Sequence, residues 1–144
     1  MKTYLVSFAT PEFYESQERL NKDALQFGVD ETISFTMEMI KKTDFYKENE
    51  ELLNRKKWAG WCSWKPFIIL EAFKKIKNGD IVVYCDSGIS FKASIKELID
   101  LCNKKGIVLI GSSPINRQWT KRDCFVLTGC DEKKYHNAKQ IMGG

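Results

Sequence analysis

A chain of 144 residues is long enough to bury one core and too short for two ordinary domains, so a single domain spanning 1–144 is expected. With 43% hydrophobic and 29% charged residues, its composition is that of a folded globular protein and excludes disordered and fibrous classes. The formal net charge of +4 is spread with both signs through almost every segment, so charge alone does not demand a nucleic-acid partner.

Tyr4 to Ala9 reads as a mostly apolar first strand. Thr10 then offers an N-cap and Pro11 a first helical position, predicting a helix over about Glu12 to Gln26 that stops at Gly28. Ile33 to Thr36 is a second, shorter strand, and Asp44 to Asn54 a polar helix with Phe45, Leu52 and Leu53 as its apolar contacts. Arg55 to Lys65 carries Trp58, Gly60, Trp61, Cys62 and Trp64 between basic residues with no clean period, which predicts a structured loop. Pro66 opens a helix whose Phe67, Leu70, Phe73 and Ile76, with Ile69 and Ala72, follow helical spacing up to a stop at Asn78-Gly79.

Asp80 to Cys85 is a continuous β-prone run of the kind buried on both faces of a parallel sheet, and is expected to be central. Ser94 to Glu97 reads as a capping box opening a helix with Ile95, Leu98, Ile99 and Leu101 inward and Gly106 at its stop. Ile107 to Ile110 would be the next strand. Thr120 is expected to cap a helix with Asp123 near its N-terminus, Asp131 to start the last helix, and the chain to end without a further element. Strands alternating with helices predict an α/β domain with a mostly parallel sheet, whose ligands sit beyond the carboxyl ends of the strands, where the loops after Ala9 and Cys85 fall.

The start of the chain lacks a signal-peptide pattern, and no apolar run reaches membrane-spanning length. Cys62, Cys85, Cys102, Cys124 and Cys130 are odd in number and scattered, with no Cys-x-x-Cys pair, so neither a disulfide framework nor a zinc knuckle is indicated and a cytoplasmic protein is expected. His136 is the only histidine, which argues against His-rich metal sites and Ser-His or Cys-His nucleophile systems.

Asp86-Ser87-Gly88 places a carboxylate just past a buried strand, with Gly88 leaving room for a phosphate; a plain turn explains the same residues equally well. Lys65 precedes a proline-started helix N-terminus, where a cation and free backbone N–H groups converge on a spot that suits an anion; a solvated lysine is the alternative. Packing against the sheet is the expected role of Trp58 and Trp61.

Gly60–Phe73 (GWCSWKPFIILEAF) and Asn78–Gly88 (NGDIVVYCDSG), in this order and spacing, resemble a family of small GT-A fold glycosyltransferases of bacterial polysaccharide clusters and large viruses. The resemblance extends more weakly to Leu5–Thr10 and to Trp119–Phe125, Asp131, Tyr135 and Gln140. It implies a GT-A-like, Rossmann-like three-layer domain that uses a UDP- or GDP-sugar donor, a divalent metal (Mn2+ or Mg2+) and a glycan or other acceptor in polysaccharide biosynthesis. By position, Phe8, Ala9 and Thr10 would line the nucleoside, and Trp64 and Lys65 would face nucleotide or phosphate. Asp86, Ser87 and Gly88 would hold the diphosphate, with Asp86 as metal ligand; Gly88 stands where such enzymes often carry a second carboxylate. Domains of this kind normally continue beyond the point where this chain stops, so a C-terminal truncation is an expectation too. No catalytic base is assigned: Asp123 and Asp131 are the candidates, and helix capping explains both.

Two other classes compete. A strand ending in Cys85 before a glycine loop is also how a rhodanese-like sulfurtransferase places a persulfide cysteine, although Ser90 and Phe91 stand where basic help is wanted and a buried structural cysteine is the plainer reading. The basic, tryptophan-rich stretch from Arg55 to Lys65 suits a single-stranded nucleic-acid module, for which the overall charge is mild, and a non-catalytic sugar-nucleotide binder completes the alternatives.

Overall fold

Thr3–Ala9 (β1) is the central strand of a parallel sheet, with Glu31–Thr36 (β2) on one side and Ile81–Tyr84 (β3) on the other. The computed structural model describes residues 1–143, which fall into two compact units, Met1–Cys102 and Asn103–Gly143. In the first unit β1 earns its position through composition: six of its seven residues are buried, against one of the four in β3. The expectation that Asp80–Cys85 would be the central strand is therefore corrected. Among the described residues β3 pairs only with β1, and the next apolar run, Ile107–Ile110, forms no strand.

After β1, Pro11–Phe13 makes a 3-10 turn that leads into α1 (Tyr14–Gln26), ended near Gly28 at a φ of 109° that glycine adopts freely. Met37–Ile40 (α2) follows β2. The polar helix expected over Asp44–Asn54 is two short pieces, Asp44–Glu48 (α3) and Glu50–Leu53 (α4), separated at Asn49, whose φ of −123° is not helical. Trp58–Trp61 (α5) is a single turn inside the stretch expected to be a loop, and Trp64–Lys75 (α6) begins two residues before Pro66 and ends before Asn78-Gly79, so Lys65 lies within its first turn and not ahead of it.

The inward face of α6 differs from the one expected. Trp64, Ile68 and Ala72 are buried at i, i+4 and i+8, while Leu70 and Phe73 are 60% and 52% exposed. Residues 67–70 are apolar all round the helix, so several faces fit the spacing, and only packing against Val6 and Phe8 selects one.

Successive side chains on β1 point to opposite faces of the sheet. Val6 and Phe8 pack with Phe35, Ile40, Leu53, Trp64, Ile68 and Ala72 on the α6 side. Leu5 packs with Leu20, Ala24, Val29 and Ile95 on the α1 side. Ser7 shares that second face and is fully buried, where its hydroxyl accepts from Gln17 Nε2 at 3.0 Å. Helices on both faces of a parallel sheet make this unit a three-layer α/β structure.

Lys96–Lys105 (α7) starts where Ser94 Oγ accepts from the Lys96 N–H at 3.3 Å, and Ile95 is buried against α1 and Leu5. Leu98 and Leu101, expected inward, are exposed, because the face that packs carries Ile95 and Ile99.

In the second unit Gly111–Ile115 (β4) and Lys139–Ile141 (β5) pair antiparallel, with Asn116–Trp119 (α8), Arg122–Leu127 (α9) and Lys133–His136 (α10) between them. Ile107–Ile110 is an exposed connection that contributes only the Ile110 C=O, accepting from Met142 N–H at 2.8 Å; a four-residue apolar run does not by itself distinguish strand from loop. Thr120 does not cap a helix but closes α8, donating its N–H to the Asn116 C=O, and the chain does end in an element, β5. Among the described residues no helix is long and apolar enough to cross a membrane.

Candidate functional site

The chain leaves β1 for β2 on one side and later returns to β3 on the other, and α1 and α6 lie on opposite faces. Such a reversal of strand order opens a crevice at the carboxyl ends of the two strands that diverge, here β1 and β3. Three segments meet there: the end of β1 at Phe8, Ala9 and Thr10, the loop after β3 at Asp86, and the start of α6 at Trp64 and Lys65.

Pleating decides which residues face the crevice. Val82 and Tyr84 lie on the α6 side of β3, whereas Val83 and Cys85 pack into the α1-side core. Asp86 continues the first set. Its carboxylate is paired with the Lys65 ammonium, at 2.9 Å from Oδ1 and 3.1 Å from Oδ2, and accepts a hydrogen bond from the Tyr84 hydroxyl. Burial, and then the Asp86 carboxylate, push the Tyr84 pKa far above its ordinary value, so this hydroxyl stays protonated and remains a donor.

The pair is neither buried nor free in solvent: the Lys65 side chain is 21% exposed and that of Asp86 46%. Lys65 also lies 5.3 Å from the centre of the Tyr84 ring and 5.9 Å from that of Trp64, distances at which a cation is held by an aromatic face. Trp64 itself is 5% exposed and stacks on Phe8 at a centroid distance of 3.9 Å. Its indole N–H finds no acceptor among the described residues, an arrangement that costs about 1–3 kcal/mol for a buried donor.

Of the residues singled out in the sequence, the structure thus brings together Phe8 with Trp64 and Lys65 with Asp86. Phe8 and Ala9 are buried and Thr10 half-buried; Ser87 is half-buried and Gly88 exposed in the loop beyond Asp86. Tyr84 was missed. Its signal was its place two residues before Asp86 on the same strand face.

Cys85 stands apart from this cluster. It packs against the α1-side core, and burial pushes its thiol up to about 11, leaving it protonated near neutrality and a poor nucleophile. Cys62 belongs to the crevice instead, and burial raises its pKa as well, with Lys65 opposing and Asp86 assisting.

In the second unit, Asp123 is exposed in the first turn of α9, as a residue favoured by the helix dipole would be. Asp131 caps nothing: it takes Arg122 Nη2 at 3.0 Å and His136 Nε2 at 3.0 Å. Arg122 and then His136 hold its carboxyl below the usual range, so it is a weak base. Its pairing partners lie nine residues before and five after it, a separation that no helical or strand period signals.

Among the described residues no three His, Cys, Asp or Glu side chains gather as a metal site. Comparison of the chain with known protein families, with curated proteins and with solved structures gave no match.

Proposed function

We propose that the chain is a glycosyltransferase of GT-A type that holds the diphosphate of a UDP- or GDP-sugar in the crevice between the carboxyl ends of β1 and β3. The observation that carries this reading is the Lys65–Asp86–Tyr84 cluster at the point where the strand order reverses. The Trp64 ring, 5.9 Å from the Lys65 ammonium, stands beside the cluster and backs the lysine with an aromatic face. The resemblance of Gly60–Phe73 and Asn78–Gly88 to small GT-A enzymes supplies the reaction class.

Mg2+ is commonly held by one or two carboxylates, with substrate phosphates and water completing its oxygen shell. Asp86 supplies one half-exposed carboxylate, which fits that minimum and nothing more. Bound with the diphosphate, such an ion would neutralise the charge developing on the leaving group.

The chain's own part follows from the ion pair. Without donor, Lys65 neutralises Asp86. With donor bound, the Lys65 ammonium would pair with a phosphate oxygen and Asp86 would be the carboxylate available to hold an ion, its orientation fixed by the hydrogen bond from the Tyr84 hydroxyl. The stacked Phe8 and Trp64 form an apolar wall that limits water at the same end of the sheet. Because Lys65 competes for Asp86, ion and diphosphate should bind together. Calorimetric titration is expected to show UDP binding tightened at least about tenfold by 1 mM Mn2+, and Mn2+ affinity raised by the same factor when UDP is present, as linkage requires. Equal UDP affinity with and without the ion would remove the metal from the proposal; no binding of UDP or GDP at all would sink the function.

A further inference from the structure

Trp58 and Trp61 were expected to pack, and they do not: they are 64% and 48% exposed, while Trp64 is the tryptophan that enters the core. The backbone explains how. From Trp58 to Cys62 five successive residues are left-handed, with φ of 52°, 46°, 78°, 58° and 60°. Only Gly60 adopts that region freely; for each of the others it costs about 1–2 kcal/mol.

The turn is held from inside. Trp61 N–H donates to the Lys57 C=O at 2.9 Å, Cys62 N–H to the Trp58 C=O at 3.0 Å, and Gly60 N–H to the Arg55 C=O at 2.9 Å. Ala59 and Cys62 pack against the α6-side core, and Gly60 presses on the backbone of α4. Residues 59, 60 and 62 therefore face in, and 58 and 61 are left to face out. The two indoles meet edge to face, with centroids 5.5 Å apart and planes at 88°. The Lys57 ammonium stands 4.8 Å from one ring and 4.7 Å from the other.

Strain kept in order to expose two large apolar rings points to a binding surface. The rings form a corner rather than a parallel slot. A flat nucleobase is best held in a slot, whereas a puckered sugar ring offers a C–H face to one indole, an edge to the other, and hydroxyl oxygens to the lysine. Three basic residues, Arg55, Lys56 and Lys57, precede the rings, but Arg55 is paired to Glu51 and the next basic residue, Lys65, is paired to Asp86, so the positive charge beside the rings is a short cluster and not the extended track that a nucleic-acid strand follows. Trp61 precedes Lys65 by four residues, and the turn between them is closed by the Lys65 N–H donating to the Cys62 C=O at 3.0 Å.

We infer that Trp58, Trp61 and Lys57 form a carbohydrate platform that holds the acceptor glycan beside the donor crevice; its assignment to the acceptor rests on the proposed transferase activity. The test is a titration of intrinsic tryptophan fluorescence on the full chain with cellobiose, lactose, maltotriose and chitotriose. At least one is expected to give a saturable change with a dissociation constant of about 1 mM, typical of a single stacked ring. That change should weaken about tenfold in Trp61→Ala, less in Trp61→Phe, and vanish in the Trp58→Ala/Trp61→Ala double variant, whose UDP binding is unchanged. Absence of a response to all four sugars, or a response that survives in the double variant, overturns the platform. So does a saturable response to a ten-residue oligothymidylate, or to phosphatidylglycerol vesicles, where sugars give none. Sugar binding without UDP binding would support the platform while removing the donor reading, and UDP binding without sugar binding would do the reverse.

Discussion

Gly60→Ala is expected to lower the melting temperature by about 10 °C. A Cβ on Gly60 would lie 2.7 Å from Leu53 Cα and 2.8 Å from the Leu52 carbonyl oxygen, both backbone atoms of α4 that cannot swing aside. The added methyl therefore costs overpacking, roughly 1–3 kcal/mol, and a left-handed penalty of about 1–2 kcal/mol at a φ of 78°. A total of ~3–4 kcal/mol corresponds to that fall in a chain of this size. Gly79→Ala separates the two contributions: its φ of 92° carries the conformational penalty, but nothing lies within 4 Å of its Cβ position, so a fall of only a few degrees is expected. Thermal melts followed by circular dichroism decide the matter. Equal losses in the two variants would mean that α5 does not rest on the backbone of α4.

Asp86→Ala is expected to abolish most of the stabilisation that donor confers. Ligand at about a hundred times its dissociation constant stabilises a folded protein by ~2.7 kcal/mol, a rise of roughly 8 °C for a chain of this length. In Asp86→Ala, Lys65 loses the Asp86 carboxylate, the Tyr84 hydroxyl loses the oxygen it donates to, and the proposed ion loses the carboxylate that would hold it. UDP with Mn2+ should then raise the melting point by less than about a quarter of the wild-type shift. Lys65→Ala should behave differently, weakening UDP but retaining part of the shift with UDP and Mn2+, because the Asp86 carboxylate survives and the lysine no longer competes for it. A full shift in Asp86→Ala would place the nucleotide elsewhere.

The parts of the fold readable in advance are those where local chemistry and tertiary packing agree. β1 announced itself as a mostly apolar run, and α1 by the proline of the 3-10 turn that leads into it and the glycine just past its end. The strand ends that flank the proposed crevice were legible for the same reason, since parallel strands place the loops that follow them at one end of the sheet. What stayed hidden depended on choices that the sequence leaves degenerate. Residues 67–70 are apolar on every side of α6, and Ile107–Ile110 lacks a partner strand. The left-handed turn ran against local preference: of its five residues only Gly60 signals positive φ, and a tryptophan read alone is a core residue. The Lys65–Asp86 contact joins residues 21 apart, which no helical or strand period reveals, although each was singled out for phosphate chemistry on its own.

The position of bound UDP is the most direct measurement. A crystal of the full chain soaked with UDP and Mn2+ should show the diphosphate at the carboxyl ends of β1 and β3, with the Lys65 ammonium on a phosphate oxygen and the ion's anomalous signal beside the Asp86 carboxylate. UDP lodged at another surface, with the Lys65–Asp86 pair intact and no ion near it, would contradict the proposed donor site.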